Sequence, residues 1–229
     1  MKNLLGTVAA VGVLAVAGSA LAGPIAIGGA AFKNHPTVTD LPSYTQAIPA
    51  YFIPVNVVAT LNSPIVGGLA GSVVTTVYLN PNTNTLTFDY VFSAAASNPV
   101  SIVRATLGGP WLPILVNDAG AGSNGISGGG DGGAEWNDGD PFFLARSPED
   151  GSPNVQWRAF GLGSALGAGN VSSNIWFETN ATLITEAPMA VIDTAVTGSG
   201  LILAPVIPAP GAAALALMGV GIAARRRRA

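Results

Sequence analysis

Two neighbouring runs of the chain set the fold class through a two-residue period. Leu86, Phe88, Tyr90 and Phe92 alternate with Thr87, Asp89, Val91 and Ser93. Successive side chains of a strand point to opposite faces, so this run reads as a strand with one face on a core. Residues 72–79 upstream (SVVTTVYL) are rich in β-branched side chains, which suit extended backbone. Between the two runs stand Asn80, Pro81, Asn82, Thr83 and Asn84. Asn tolerates left-handed backbone and Pro81 presets a turn, so residues 72–93 are predicted to form an antiparallel hairpin with Phe88 and Phe92 inward.

Further strands are predicted over residues 52–60, 100–107, 112–116, 155–160, 171–179 and 190–196, with 197–207 as the last strand and the link to the C-terminal segment. Residues 23–49 read as a Pro-punctuated lead-in. Strong helical periodicity is confined to the two ends of the chain, and no internal repeat points to a propeller or solenoid. About eight short strands joined by Gly, Pro and Asn turns, with no helices to cover a parallel sheet, predict an all-β fold: an antiparallel β-sandwich or jelly roll. Gly and Pro make up 30 and 17 of the 229 residues, short of the share at which a chain has no core, so a folded but loop-rich domain is expected. There is no cysteine, and packing has to do the work of disulfides.

Both ends read as processing segments. Lys2 is a positive n-region, residues 8–17 form an apolar stretch, and Ala20-Leu21-Ala22 has the small-x-small pattern of signal cleavage. Residues 1–22 are thus expected to be a signal peptide forming an N-terminal signal helix, with the mature chain starting at Gly23. At the other end, Pro208, Ala209, Pro210 and Gly211 are followed by uncharged residues 212–224 and then Arg225, Arg226, Arg227 and Arg228. Thirteen residues make a helix of about 20 Å, short of the ~30 Å hydrocarbon core, so transient membrane insertion suits this segment better than a permanent span. The arginines favour the cytoplasmic side.

This C-terminal pattern resembles the PEP-CTERM sorting signal of exported bacterial surface proteins: a Pro-Glu-Pro-like motif, a hydrophobic helix and a basic tail. Pro208, Ala209 and Pro210 take the motif positions, with Ala209 where the family has glutamate. The resemblance implies that residues 205–229 are a sorting and anchor segment, which an exosortase-like membrane transpeptidase cuts near Pro208 to Gly211 in delivering the protein to the surface. Residues 23–204 are then the single β-rich extracellular domain. The implied location is the cell surface or extracellular matrix of a Gram-negative-type bacterium, after an inner-membrane stage. The runs LTFDYVFS and TNATLITEAPMAVIDTAV also resemble segments of other exported proteins with this tail, and no activity attaches to them.

Within the expected mature domain, Lys33, Arg104, Arg146 and Arg158 face twelve carboxylates, a formal charge of −8. Nucleic-acid binding needs a basic face, so it is not expected. The acidic, glycine-rich segment 117–140 carries Asp118, Asp131, Glu135, Asp138 and Asp140 and is expected to be irregular. It contains GxGxxG at 120–125 and GxSxG at 125–129. The first lacks the helix that meets a pyrophosphate, and the second lacks a downstream histidine, since His35 is the only one in the chain. Glycine would let carboxylates converge on calcium, but the spacing matches no EF-hand, and a solvated loop is the simpler reading. A carboxylate pair of the glycosidase type is the enzyme reading of the same loop.

Four tryptophans are candidates for a sugar-stacking platform. Trp157 shares a face with Val155 and Ala159 and is expected in the core. Trp176 shares one with Asn174 and Glu178 and is expected to be exposed, while Trp136 lies in the acidic loop as a candidate loop anchor. The two sequons at Asn170 and Asn180 read as coincidental. No catalytic residue, cofactor or metal ligand is assigned. The expected function is a non-enzymatic structural or adhesive protein of the envelope, biofilm or polysaccharide matrix, with exopolysaccharide or surface proteins as partners. A carbohydrate-binding module with a weak calcium site is the alternative, and a secreted hydrolase the third.

Overall fold

The computed structural model describes residues 24–32, 48–122, 141–159, 162–163 and 165–207. They form thirteen strands: β1 (Ala30–Phe32), β2 (Val57–Gly67), β3 (Gly71–Asn80), β4 (Thr85–Ala94), β5 (Arg104–Leu107), β6 (Val116–Gly122), β7 (Phe143–Arg146), β8 (Pro153–Gln156), β9 (Arg158–Ala159), β10 (Leu162–Gly163), β11 (Asn174–Thr179), β12 (Leu183–Ile192) and β13 (Thr197–Val206). Eleven of them make one antiparallel sheet in the order β1-β7-β8-β5-β12-β13-β2-β3-β4-β11-β6, and β9 pairs with β10 separately. The fold is all-β, as the two-residue period requires. No α-helix occurs among the described residues, and none of these is in a helix long and apolar enough to cross a membrane.

The sheet curls at β2. Its residues from Val57 to Ile65 pair with β3, whereas Val66 and Gly67 pair with Ser199 and Gly198 of β13. The two halves then face one another across a core. Tyr90 Oη of β4 donates to the Leu203 carbonyl of β13 at 2.9 Å, and the Leu203 N–H donates to Thr75 Oγ1 of β3 at 3.4 Å. Phe88, Tyr90 and Phe92 are wholly buried. Phe88 meets Trp111 edge-on at 6.3 Å, and Phe92 meets Trp157 at 5.4 Å and 83°. Edge-to-face rings of this kind add to the apolar burial.

The hairpin stands as expected: ten residue pairs join β3 and β4, from Asn80↔Thr85 to Gly71↔Ala94. Asn84 closes the loop with φ +55°, and its N–H donates to the Asn80 carbonyl at 2.8 Å. Left-handed backbone is costly for a β-branched residue. Asn84→Val is therefore expected to lower stability by about 1–2 kcal/mol while Asn84→Gly stays within about 0.5 kcal/mol, checked by urea denaturation.

Several boundaries differ from expectation for local reasons. Pro54 to Asn56 make a 3-10 turn, so the strand expected at 52–60 begins only at Val57. Residues 112–116 are not a strand: the Leu112–Pro113 peptide is cis, the Ile114 N–H returns to the Trp111 carbonyl, and β6 starts at Val116. The strand expected at 190–196 is the end of a longer strand followed by a turn. β12 runs to Ile192, Asp193 and Val196 exchange backbone hydrogen bonds across a tight turn, and β13 begins directly after it. Pro188 does not break β12: it lies just beyond the residues paired with β5, its carbonyl accepts from the Gly108 N–H at 3.0 Å, and Ala187, Met189 and Val191 keep their alternate burial on either side of it.

Candidate functional site

The outward face of β3, β4, β11 and β6 carries an unusual set of polar groups. Cross-strand register builds it in rows, since residues opposite one another share a face. One row is Asp118, Glu178, Thr87 and Tyr78; the next is Gly120, Trp176, Asp89 and Thr76. Tyr51 and Phe52 lie over both rows. Phe52 stacks on Tyr78 with ring centres 4.1 Å apart and 7° between planes, and meets Trp176 edge-on at 6.4 Å.

Glu178 is the hub of the first row. Its Oε2 accepts from Tyr51 Oη at 3.1 Å and its Oε1 from Asn80 Nδ2 at 3.1 Å, with Thr83 and Thr85 hydroxyls at 3.4 and 3.5 Å. Tyr51 Oη also shares a 2.9 Å hydrogen bond with Thr87 Oγ1. Burial, and the carboxylates of Glu178 and Asp118 nearby, push the Tyr51 phenol well above its usual range. Asp118 is pushed up to about 6, first by burial and then by Glu178, against the pull of the Ala119 N–H.

Asp89 is the hub of the second row and is only 2% exposed. Asn174 Nδ2 donates to its Oδ2 at 2.6 Å, while among the described residues Oδ1 has no hydrogen-bond partner and neither has the neighbouring Trp176 Nε1. Burial dominates and pushes the carboxyl up to about 7, although the Asn174 hydrogen bond and the nearby Ile175 and Tyr90 backbone N–H groups pull the other way. An ionised carboxylate is expensive in such a site, so the proton stays on through most of the acidic range.

The chemical capacity of this face is to hold protons. A general acid has to come within hydrogen-bond reach of its substrate, and Asp89 and Trp176 lie beneath the surface. Comparison with known protein families, curated proteins and solved structures gives no match. The site therefore stands on its own geometry.

Of the tryptophans, Trp157 is in the core as expected, and Trp111 joins it there. Trp176, expected to be exposed, is 1% exposed, because Phe52 covers a face that the alternation assigns to solvent. The segment 117–140 is not irregular throughout: residues up to Gly122 belong to β6 and pair with β11, since backbone hydrogen bonds need no side chain. Asp118 is accordingly a half-buried strand residue. Among the described residues, no group of three or more His, Asp or Glu is placed to hold a metal ion. Asp131, Glu135, Trp136, Asp138, Asp140 and His35 lie outside the described residues, as do Ala20, Ala22 and Gly23, the motif Pro208 to Gly211, the arginines 225–228, and both expected terminal helices.

Asp89, Asn174 and Tyr51 were not singled out by sequence. The available signal was Asp89 itself, a carboxylate inside an otherwise apolar and β-branched strand.

Proposed function

We propose that this is an exported, surface-associated β-sandwich protein with a structural or adhesive role in a bacterial envelope or polysaccharide matrix. It is delivered by an exosortase-like transpeptidase acting at Pro208 to Gly211. The observation that carries the reading is the place of the last strand. β13 ends at Val206, two residues before Pro208, and lies inside the sheet between β12 and β2. Ten consecutive pairs hold it to β12, and the Tyr90 and Thr75 side chains bond to Leu203 across the core. Tension applied through the C-terminus would run along β13 and load those ten pairs together in shear, which resists better than opening them one at a time. That is a suitable place to attach a domain that has to hold.

Mass spectrometry of protein recovered from the cell surface tests delivery. The expected species begins at Gly23 and ends within residues 208–211; a surface species still carrying Arg225 to Arg228 would overturn it. A chain truncated after Ile207 is expected in the medium and not on cells. For the role itself, purified protein should be retained on matrix polysaccharide without releasing sugar fragments. Hydrolysis would replace the proposal with an enzyme, and absence of retention would remove the matrix as its partner.

A further inference from the structure

Residues 24–27 and the turn leading into β6 line a groove of about 720 Å³. Ile25, Ile114 and Val116 are its buried apolar residues, while Ile27, Leu112 and Leu115 remain 45%, 44% and 60% exposed. Such a volume is within the range of small-molecule sites, which combine a mostly apolar lining with a few fixed polar groups. Here the charged group is Arg146, at the end of β7 and 3% exposed.

The surroundings of Arg146 are unusual for a buried cation. Its Nε donates to the Gly151 carbonyl at 2.9 Å, one Nη to the Trp111 carbonyl at 3.0 Å and the other to the Ile25 carbonyl at 3.4 Å. These partners are neutral dipoles, and no carboxylate among the described residues is one of them. A guanidinium has five N–H donors, so one on each Nη remains beyond these three bonds. Burial without a counter-ion lowers its affinity for its own proton. The carbonyls hold the guanidinium in place, which is the preorganisation that recognition of a planar anion requires.

We propose that this groove binds a free single-chain amphiphile with a carboxylate head, the carboxylate facing the free Nη donors of Arg146 and the hydrocarbon chain lying along Ile25, Ile27, Leu112, Ile114 and Leu115. An apolar groove alone would take any oil. The buried cation selects an anionic head, and the exposed rim leaves an entrance for the chain.

Calorimetric titration of the purified full chain with dodecanoate tests the proposal. Saturable binding with one equivalent is expected, about tenfold weaker for decanoate because two fewer methylenes are buried, and at least tenfold weaker for dodecanol, which lacks the charge. Leu115→Glu puts a carboxylate at the rim of the groove on a side chain that is mostly exposed, so the fold is retained; it should weaken dodecanoate binding at least tenfold. Leu201→Glu, another exposed leucine outside the groove, should leave it unchanged. Arg146→Lys should bind more weakly with its fold checked by circular dichroism. Absence of dodecanoate binding, equal affinity for dodecanol, or equal loss in both leucine variants would overturn the proposal. Binding to phosphatidylglycerol vesicles without binding to dodecanoate would overturn it in favour of a membrane surface.

Discussion

Phe92→Ala is expected to lower the unfolding free energy by about 3–5 kcal/mol, a large share of the roughly 5–15 kcal/mol available to a domain. The side chain is fully buried and meets Trp157 across the interior, so truncation removes apolar burial, leaves a cavity and breaks an aromatic pair. Its backbone is fixed through both its polar groups by Ser172, just ahead of β11: the Phe92 N–H donates to Ser172 Oγ at 2.9 Å and its carbonyl accepts from the Ser172 N–H at 2.8 Å. That anchoring limits how far the chain can collapse into the void. Urea unfolding followed by tryptophan fluorescence should show a lower midpoint with an unchanged slope. Val91→Ala, one residue away on the opposite face, should lose less than half as much. Equal losses at the two positions would contradict the assignment of faces.

Asp89→Asn is expected to flatten the dependence of stability on pH. The folded carboxyl titrates near 7, whereas the ordinary value is 3.8. Between those values the folded protein keeps a proton that the unfolded chain releases, so stability is complete below about pH 4, falls as pH rises towards 7, and is level above it. The total loss is on the order of 4 kcal/mol from this one group. Asparagine keeps the shape of the neutral acid and an oxygen for Asn174, so the variant should exceed the wild type at pH 8 and match it near pH 4. Asp118 adds a smaller slope of the same sign between about pH 4 and 6. Denaturation curves at pH 4, 5.5, 7 and 8.5 would show this; parallel profiles for the two proteins would place the titration elsewhere.

The sequence conveyed the β class and the hairpin well because alternation in residues 86–93 is a local signal. Asn84 and Pro81 likewise carry turn chemistry in their own backbone preferences. What sequence could not convey was which outward faces are covered. Trp176, Asn174 and Asp89 occupy positions that alternation gives to solvent, and their burial depends on Tyr51 and Phe52, residues 37 or more positions away from any of them in the chain. The strand character of β6 was hidden for a different reason. Its Ala119, Gly120, Ala121 and Gly122 have little side chain to pattern, yet their backbones pair fully with β11. The Arg146 groove was invisible because its components come from residues 24–27, 112–117 and 146.

The central position of β13 also governs when the sheet can be finished. Its partner on one side, β12, is its neighbour in sequence, but its other partner, β2, was made some 130 residues earlier, at Val66 and Gly67. Until residues 198 and 199 reach those two, the two halves of the sheet have no bridge at their corner. Tyr90 and Thr75 also wait for Leu203. Such long-range closure is slow compared with local pairing. A chain threaded through a membrane from its N-terminus would therefore pass almost its whole length before the sheet could close, and the last strand to emerge would complete the fold on the far side.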